Sequence, residues 1–252
     1  MAGLSVLVLT HNEEDHIREC LESSSFAQEI IVVDDASTDN TVAIAESVGA
    51  KVFHRRLNGD FGAQKTFAIQ QATNDWVFIL DADERFTPEA IEEIQALVKT
   101  EPNACYAIKR ENRFLSGKAK HGTLRPDWVV RLMPQKGSIM EGEVHERLVT
   151  NLPIKKLAAH LIHYPYKDWH SYFVKFNRYT TIAAESYYQS GKRCSFGLDI
   201  VIRPMWAFFK AYFINLGFLD GRLGFVFSVN HYFYTLMKYV KLYSLERSKG
   251  RI

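Results

Sequence analysis

The chain has 252 residues, 47% of them hydrophobic and 24% charged, with a formal net charge of +2. That suits one large domain, or a domain with an appendage, and supplies enough apolar mass for a substantial core. Three widely spaced cysteines (Cys20, Cys105, Cys194) exclude a disulfide framework or a paired-cysteine metal site, and fit reduced thiols in a cytoplasmic setting.

The opening stretch, MAGLSVLVLTHNEE, lacks a basic leader and does not read as a signal peptide. Short apolar runs at 4–10, 29–35, 51–54 and 76–83 do not alternate with polar residues, which predicts strands buried on both faces of a parallel sheet. Helices are expected between them at 13–25, at 40–48 before Gly49, and at 62–73. A fourth starts at Thr87 as N-cap with Pro88 behind it and runs to about Val98. This order predicts a Rossmann-like open α/β sheet with right-handed crossovers. Further strands are expected in ACYAIKR, DWVVRLM and KKLAAHLIHY, and a long helix over 168–190 capped by Asp168. The aromatic-rich tail completes two expected parts, 1–165 (a nucleotide half to 100 and an acceptor half beyond) and a helical extension, 166–252.

Ligands of such sheets bind outside the carboxyl ends of the strands. There the polar segments collect: THNEE (10–14), DDASTDN (34–40) and DADE (81–84). In an extended backbone Asp81 and Asp83 share one side, about 6–7 Å apart. With Asp34 and Asp35 nearby they repel, and Mg²⁺ or Mn²⁺ shared with a diphosphate would relieve that repulsion. The other reading is an acidic helix start with Glu84 and Glu89. No G-x-G-x-x-G or Walker A loop follows the first strand. In MEGEVHERL, four side chains qualify as a general base: Glu141, Glu143, His145 and Glu146. If Val144 and Leu148 point inward, strand parity turns Glu146 toward the site. Arg125 and Arg131 are candidates for phosphate contact, with a structural role equally open.

SVLVLTHNEE, IIVVDDASTDNT and FILDADE resemble, in order and spacing, the three nucleotide-site segments of family 2 glycosyltransferases of the GT-A fold. FGAQKTFAIQQA, DWVVRLM, GEVHERL, YKDWHSYFVKFNRYT and FFKAYFINLGFLDGRLG extend the resemblance over nearly the whole chain. They point to the bacterial subgroup that adds glucose to the inner core of lipopolysaccharide or lipooligosaccharide. Leu9 departs from the proline that many members carry before the Thr-x-Asn-Glu segment. The resemblance implies an inverting, metal-dependent transferase using a nucleotide-sugar donor such as UDP-glucose. Thr10, His11, Asn12 and Glu13 would line the nucleoside together with Asp34, and Asp35 would read the base edge. Asp81 would face ribose and metal, and Asp83 would hold the metal. Lys65 and Arg131 would approach the nucleotide, although Lys65 also fits a surface lysine. The resemblance agrees with Glu146 as base, with Glu143 second; His145 would orient it or approach the diphosphate, and a hydrogen-bonded core histidine is the other reading.

Residues 192–252 hold ten Lys/Arg against three acids, a net +7, whereas the rest holds 21 against 26, a net −5. Apolar stretches at 205–219 and 223–240 are interrupted short of the ~20 residues of a span. Interfacial helices on an anionic leaflet are expected, which would suit a lipid-linked saccharide acceptor and a peripheral place on the cytoplasmic face of the inner membrane. A helical subdomain packed on the core, or a dimer interface, is the other reading. Two further functions stay open: a family 2 transferase with a polyprenyl phosphate, capsule or protein acceptor, and a non-enzymatic receiver-like module. Against the module, the third strand ends in His54-Arg55-Arg56, not in a phosphoacceptor aspartate.

Overall fold

The computed structural model describes residues 3–100, 102–114, 117–143, 146–248 and 250. Four parallel strands form where the apolar runs predict them: β1 (Leu4–Thr10), β2 (Glu29–Asp34), β3 (Lys51–His54) and β4 (Trp76–Asp81). Leu4, Val6 and Val8 join Trp76, Phe78 and Leu80 in one core cluster, while Leu7 joins Val77 and Ile79 in another. The alternation of side chains thus feeds two cores, one on each face, which is why the runs do not alternate with polar residues.

Helices α1 (Ile17–Ser23), α2 (Thr41–Ser47) and α3 (Phe61–Gln71) connect these strands. A three-residue strand, β5 (Glu84–Phe86), follows β4 after a tight turn and precedes α4 (Pro88–Leu97). The Thr87 hydroxyl caps α4 by accepting from Ala90 N–H. The remaining strands are β6 (Cys105–Phe114), β7 (Gly117–Ala119), β8 (Asp127–Pro134), β9 (Ile139–Glu141), β10 (Arg147–Val149) and β11 (Ile154–His163). Among the described residues the main sheet runs β3-β2-β1-β4-β8-β6-β11-β5, with β7 beside β6 and with β9 and β10 as a separate hairpin. From β4 outward the pairs β4–β8, β8–β6 and β11–β5 are antiparallel.

The chain divides into two compact units, Met1–Arg110 with Asp127–His163, and Glu111–Pro126 with Tyr164–Ile252. Segment 111–126, placed by sequence in the acceptor half, thus groups with the helical unit. That unit holds α5 (Trp169–Gln189), α6 (Arg203–Phe209) and α7 (Gly221–Arg247). Asp168 caps α5 in a reciprocal box with Ser171. Ala184 of α5 and Tyr239, Leu242 and Leu245 of α7 form one core of this unit, and Phe114, Tyr172 and Phe227 another.

The amino edge of the parallel strands is pinned by Glu29, which is buried. Its carboxylate accepts from Ser5 Oγ (2.5 Å), Lys51 Nζ (2.7 Å) and Thr73 N (2.9 Å). Burial pushes this carboxyl up, but the hydrogen bonds from Lys51, Ser5 and Thr73 outweigh it and hold it below the ordinary 4.5. A depressed carboxyl stabilises the fold above its unfolded value, and the contribution fades as pH falls below about 4.5. Glu29→Gln should therefore cost roughly 1–3 kcal/mol at pH 7 and much less near pH 3.5, as measured by urea denaturation at both pH values.

Candidate active site

The walls of the site are built where β1 and β2 end. Thr10 Oγ1 donates to Asp34 Oδ1 (3.1 Å), and the buried Asp34 also accepts from Ser37 N (3.0 Å) and Ser37 Oγ (2.5 Å). Its Oδ2 lies 3.6 Å from His54 Nδ1. Asn12 takes a left-handed backbone (φ 56°), its Oδ1 accepts from Thr38 N (2.8 Å) and its N–H donates to Ser37 Oγ (2.9 Å). Thr10, Asn12 and Asp34 therefore lock two loops together.

Asp35 and His11 stand on this frame. Asp35 Oδ1 accepts from Leu57 N (3.0 Å), and its Oδ2 lies 4.0 Å from His11 Nδ1. His11 Nδ1 is 2.6 Å from the Asp35 carbonyl, which can only accept, so the ring hydrogen sits on Nδ1. That leaves Nε2 to accept from Asn12 Nδ2 at 3.3 Å. Glu13 is half-buried, and its N–H donates to Thr41 Oγ1 (2.8 Å).

The acidic segment 81–84 departs from the extended geometry expected of it. Strand β4 ends at Asp81, residues 82–83 turn, and Glu84 opens β5, so Asp81 and Asp83 do not share a strand face. Their nearest counter-charges belong to the chain. Arg131 Nη1 donates to Asp81 Oδ1 (3.3 Å), and its Nη2 pairs with Asp81 Oδ2 and with Glu84 Oε1 (2.7 Å). Arg110 Nη1 is 3.3 Å from Glu84 Oε1 and 3.7 Å from Asp81 Oδ2, and Arg110 Nη2 donates to Asp127 (2.6 Å). Glu84 is fully buried, and its Oε2 accepts from Asp81 N (3.0 Å). Burial favours the neutral form of Asp81, but Arg131 and then Lys65 outweigh it and hold the carboxyl far below the usual range. For Glu84 burial prevails over Arg131 and raises the carboxyl. Arg131 is thus spent on two acids within the fold. Arg131→Met would leave the two acids with Arg110 alone at contact distance and should cost about 3 kcal/mol, the low end for breaking a buried ion pair, read as a lower midpoint in urea.

Asp83 lies outside this network. Its Oδ2 is 3.4 Å from Nε2 of His163, the last residue of β11. Sequence reading missed His163; the available signal was a histidine ending an apolar strand. Among the described residues no three His, Cys, Asp or Glu side chains gather as a metal-binding group. The carboxylate of Asp83 suits a hard divalent cation and the imidazole of His163 a transition metal, so of the two expected ions the pair fits Mn²⁺ better than Mg²⁺.

The fourth part comes from α3 and the β9–β10 hairpin. Phe61 N–H donates to Glu143 O and Gly62 N–H to Gly142 O, both at 3.0 Å, so the hairpin caps the start of α3. A Cβ on Gly62 would stand 2.8 Å from the Gly142 oxygen, so only glycine permits this approach. Thr66 Oγ1 donates to Met140 O (3.0 Å) and lies 2.9 Å from the Met140 amide. So anchored, the hairpin places Glu146 Oε1 against Lys65 Nζ as a salt bridge, with both side chains mostly buried. Lys65 is therefore not a solvated surface lysine. Glu146 immediately precedes β10, so its position follows from Lys65 and not from strand parity. Glu141 and Glu143 are exposed; His145 and Val144 lie outside the described residues. Arg125 is exposed in the second unit, its Nη1 3.3 Å from Gly122 O.

The family model for glycosyl transferase family 2 matches residues 5–147, a span that takes in every one of these segments except His163. The chain belongs to glycosyl transferase family 2. Over 275 residues it is 30% identical to an uncharacterized glycosyltransferase of Rickettsia felis, covering all of this chain and 94% of that protein. It is 27% identical over 258 residues to the lipopolysaccharide core biosynthesis glycosyltransferase LpsC of Rhizobium meliloti, covering 98% of this chain and 94% of the relative. Among solved structures, S. aureus TarS 1-349 matches with a TM-score of 0.47 at 16% identity, covering 98% of this chain and 92% of that one. Glucosyl-3-phosphoglycerate synthase from Mycobacterium tuberculosis, in complex with Mn²⁺, UDP and glucosyl-3-phosphoglycerate, matches 44% of each chain with a TM-score of 0.37 and 24% identity. The family 2 chain has an open α/β sheet followed by a C-terminal helical region, the arrangement expected of the GT-A type. Among its described residues no helix is long and apolar enough to cross a membrane.

Proposed function

We propose that this family 2 enzyme is an inverting, divalent-metal-dependent hexosyltransferase that moves glucose from UDP-glucose onto a lipid-linked saccharide of the lipopolysaccharide inner-core kind. It would act as a peripheral protein on the cytoplasmic face of the inner membrane. One observation carries the chemistry: Asp35, Asp83 and the Lys65–Glu146 pair stand on separate segments in the same catalytic unit, with Lys65 close enough to act on the Asp81 carboxyl. The acceptor class rests on the full-length likeness to LpsC.

The donor base would lie against Asp35 and His11, whose positions the Thr10–Asp34 and Asn12–Thr38 ties fix. Asp81, held ionised by Arg131, would accept from a ribose hydroxyl. Asp83 and His163 would hold a divalent cation, which would supply positive charge to the departing diphosphate. Glu146 would take the proton from the acceptor hydroxyl as that oxygen bonds to the anomeric carbon and the bond to UDP breaks. Lys65 keeps the Glu146 carboxylate oriented. Because attack and departure occur on opposite faces of the sugar, the anomeric configuration inverts.

Isothermal titration with a panel of nucleotide sugars, in Mn²⁺ and in EDTA, tests the donor side. UDP-glucose should bind tightest and only weakly in EDTA. Equal affinity in both conditions, or preference for another nucleotide, would remove the UDP-glucose and metal assignments.

A further inference from the structure

The second unit carries an apolar surface that its own core does not cover. Residues 196–214 run as a π-helical turn (Phe196–Ile202), then α6, then a second π-helical turn (Lys210–Ile214). The wider turns let large side chains splay outward. Met205 is 61% exposed, Trp206 55%, Ile202 57% and Phe213 48%. With Phe209 and Tyr232 they line an open groove of about 680 Å³ that has no charged residue in its lining. Leu198, Leu216, Phe218 and Leu219 of the same stretch are exposed as well, and the exposed Phe225 packs edge-on against the groove residue Phe208. Exposed aromatic and aliphatic side chains gathered at one groove, and not scattered singly, mark an interaction surface.

Along residues 193–222 the exposed charge is one-sided. Arg193, Lys210 and Arg222 are exposed. The two acids of the stretch are turned inward: Asp199 binds Arg203 (2.6 Å) and Ser195 N (2.8 Å), and Asp220 binds His121 (2.7 Å) and the Lys120 and His121 amides. Burial holds His231 below its ordinary value, and Lys238 and Lys210 add to it.

From this juxtaposition we infer that the 196–219 surface docks on an anionic phospholipid leaflet, with acyl chains filling the groove and headgroup phosphates meeting Arg193, Lys210 and Arg222. Charge complementarity favours a bilayer over a protein. A protein partner would leave the groove to be matched without polar contacts, whereas interfaces average about one hydrogen bond per 100–200 Å². A leaflet asks for an aromatic and aliphatic face with basic residues at headgroup level, and Trp206 and Tyr232 suit that depth. The inference rests on the proposed lipid-linked acceptor only for its biological sense. The docking itself needs neither donor nor acceptor.

The test is co-sedimentation of the full chain with phosphatidylglycerol-containing vesicles and with pure phosphatidylcholine vesicles, at low and high salt. UDP affinity and melting temperature are followed in parallel. The intact chain should bind the anionic vesicles at low salt and release at high salt. W206E/F209E should weaken binding at least about tenfold, and K210E/R222E, which leaves the apolar face intact, by a similar factor. I154E, a charge on an equally exposed residue of the first unit, should bind as the parent does. Absence of vesicle binding by the intact chain, or equal binding by all variants, would overturn the proposal. So would a dimer that W206E/F209E dissociates while vesicle binding stays absent, because the groove would then belong to a second copy. Unaltered UDP affinity throughout separates failure of docking from failure of the donor-site reading.

Discussion

Glu146→Gln should lower turnover by about 10²–10⁴, the usual contribution of a positioned general base, while UDP affinity stays near that of the parent. The amide keeps the shape of the side chain and can still accept from Lys65 Nζ, so the hairpin stays in place, but it cannot take the acceptor proton. The donor is expected on other segments, Asp35, Asp81 and Asp83, which the substitution does not touch. Glu143 supplies its backbone carbonyl to the start of α3, and its side chain is exposed, so Glu143→Gln should remain within about threefold of the parent. Measuring kcat and UDP affinity for both variants decides between the two acids. An active Glu146→Gln enzyme with an inactive Glu143→Gln enzyme would move the base to Glu143.

Asp83→Ala should reduce turnover by about 10³-fold or more, because the charge stabilisation a bound divalent ion gives to a leaving diphosphate is worth several kcal/mol. It should also abolish the difference in UDP affinity between Mn²⁺ and EDTA. Fold stability should change little, since Asp83 is partly exposed and lies outside the Arg131–Asp81–Glu84 network. His163→Ala should move metal-dependent affinity in the same direction and more weakly, since Asp83 would still hold the cation. Titration with UDP in both conditions reads this without any acceptor. Retained metal dependence in Asp83→Ala would put the cation elsewhere.

The strands β1, β2 and β4 were legible because each is buried on two faces and so leaves a nearly unbroken apolar run, whereas the short β3 lies at the sheet edge and is only partly buried. The caps at Thr87 and Asp168 were legible because capping is chemistry within four residues. The first helix begins at Ile17, four residues later than the pattern suggests, because the ties from Asn12, Glu13 and Glu14 to the 37–41 loop hold 13–16 as turns. What escaped depends on contacts distant in sequence. Asp34 looked like one of a repelling acid pair, yet hydroxyl and amide donors satisfy it. Asp81 was expected to share a cation with Asp83, and Glu84 to belong to a helix start with Glu89; β8 and β6 return antiparallel and deliver Arg131 and Arg110 to Asp81 and Glu84. No local pattern in DADE announces those arginines, nor the pairing of β5 with β11 that brings His163 to Asp83. Lys65 and Glu146, 81 residues apart, meet only because Gly62 lets the hairpin backbone touch α3.

The most direct test of the account is a UDP-release assay with UDP-glucose, Mn²⁺ and a truncated lipid-linked inner-core saccharide, followed by assignment of the product's anomeric configuration by NMR. The account predicts acceptor-dependent UDP release and a β-linked glucose, inverted from the α-linked donor. UDP release that ignores the acceptor, transfer from a different nucleotide sugar, or an α-linked product would contradict it.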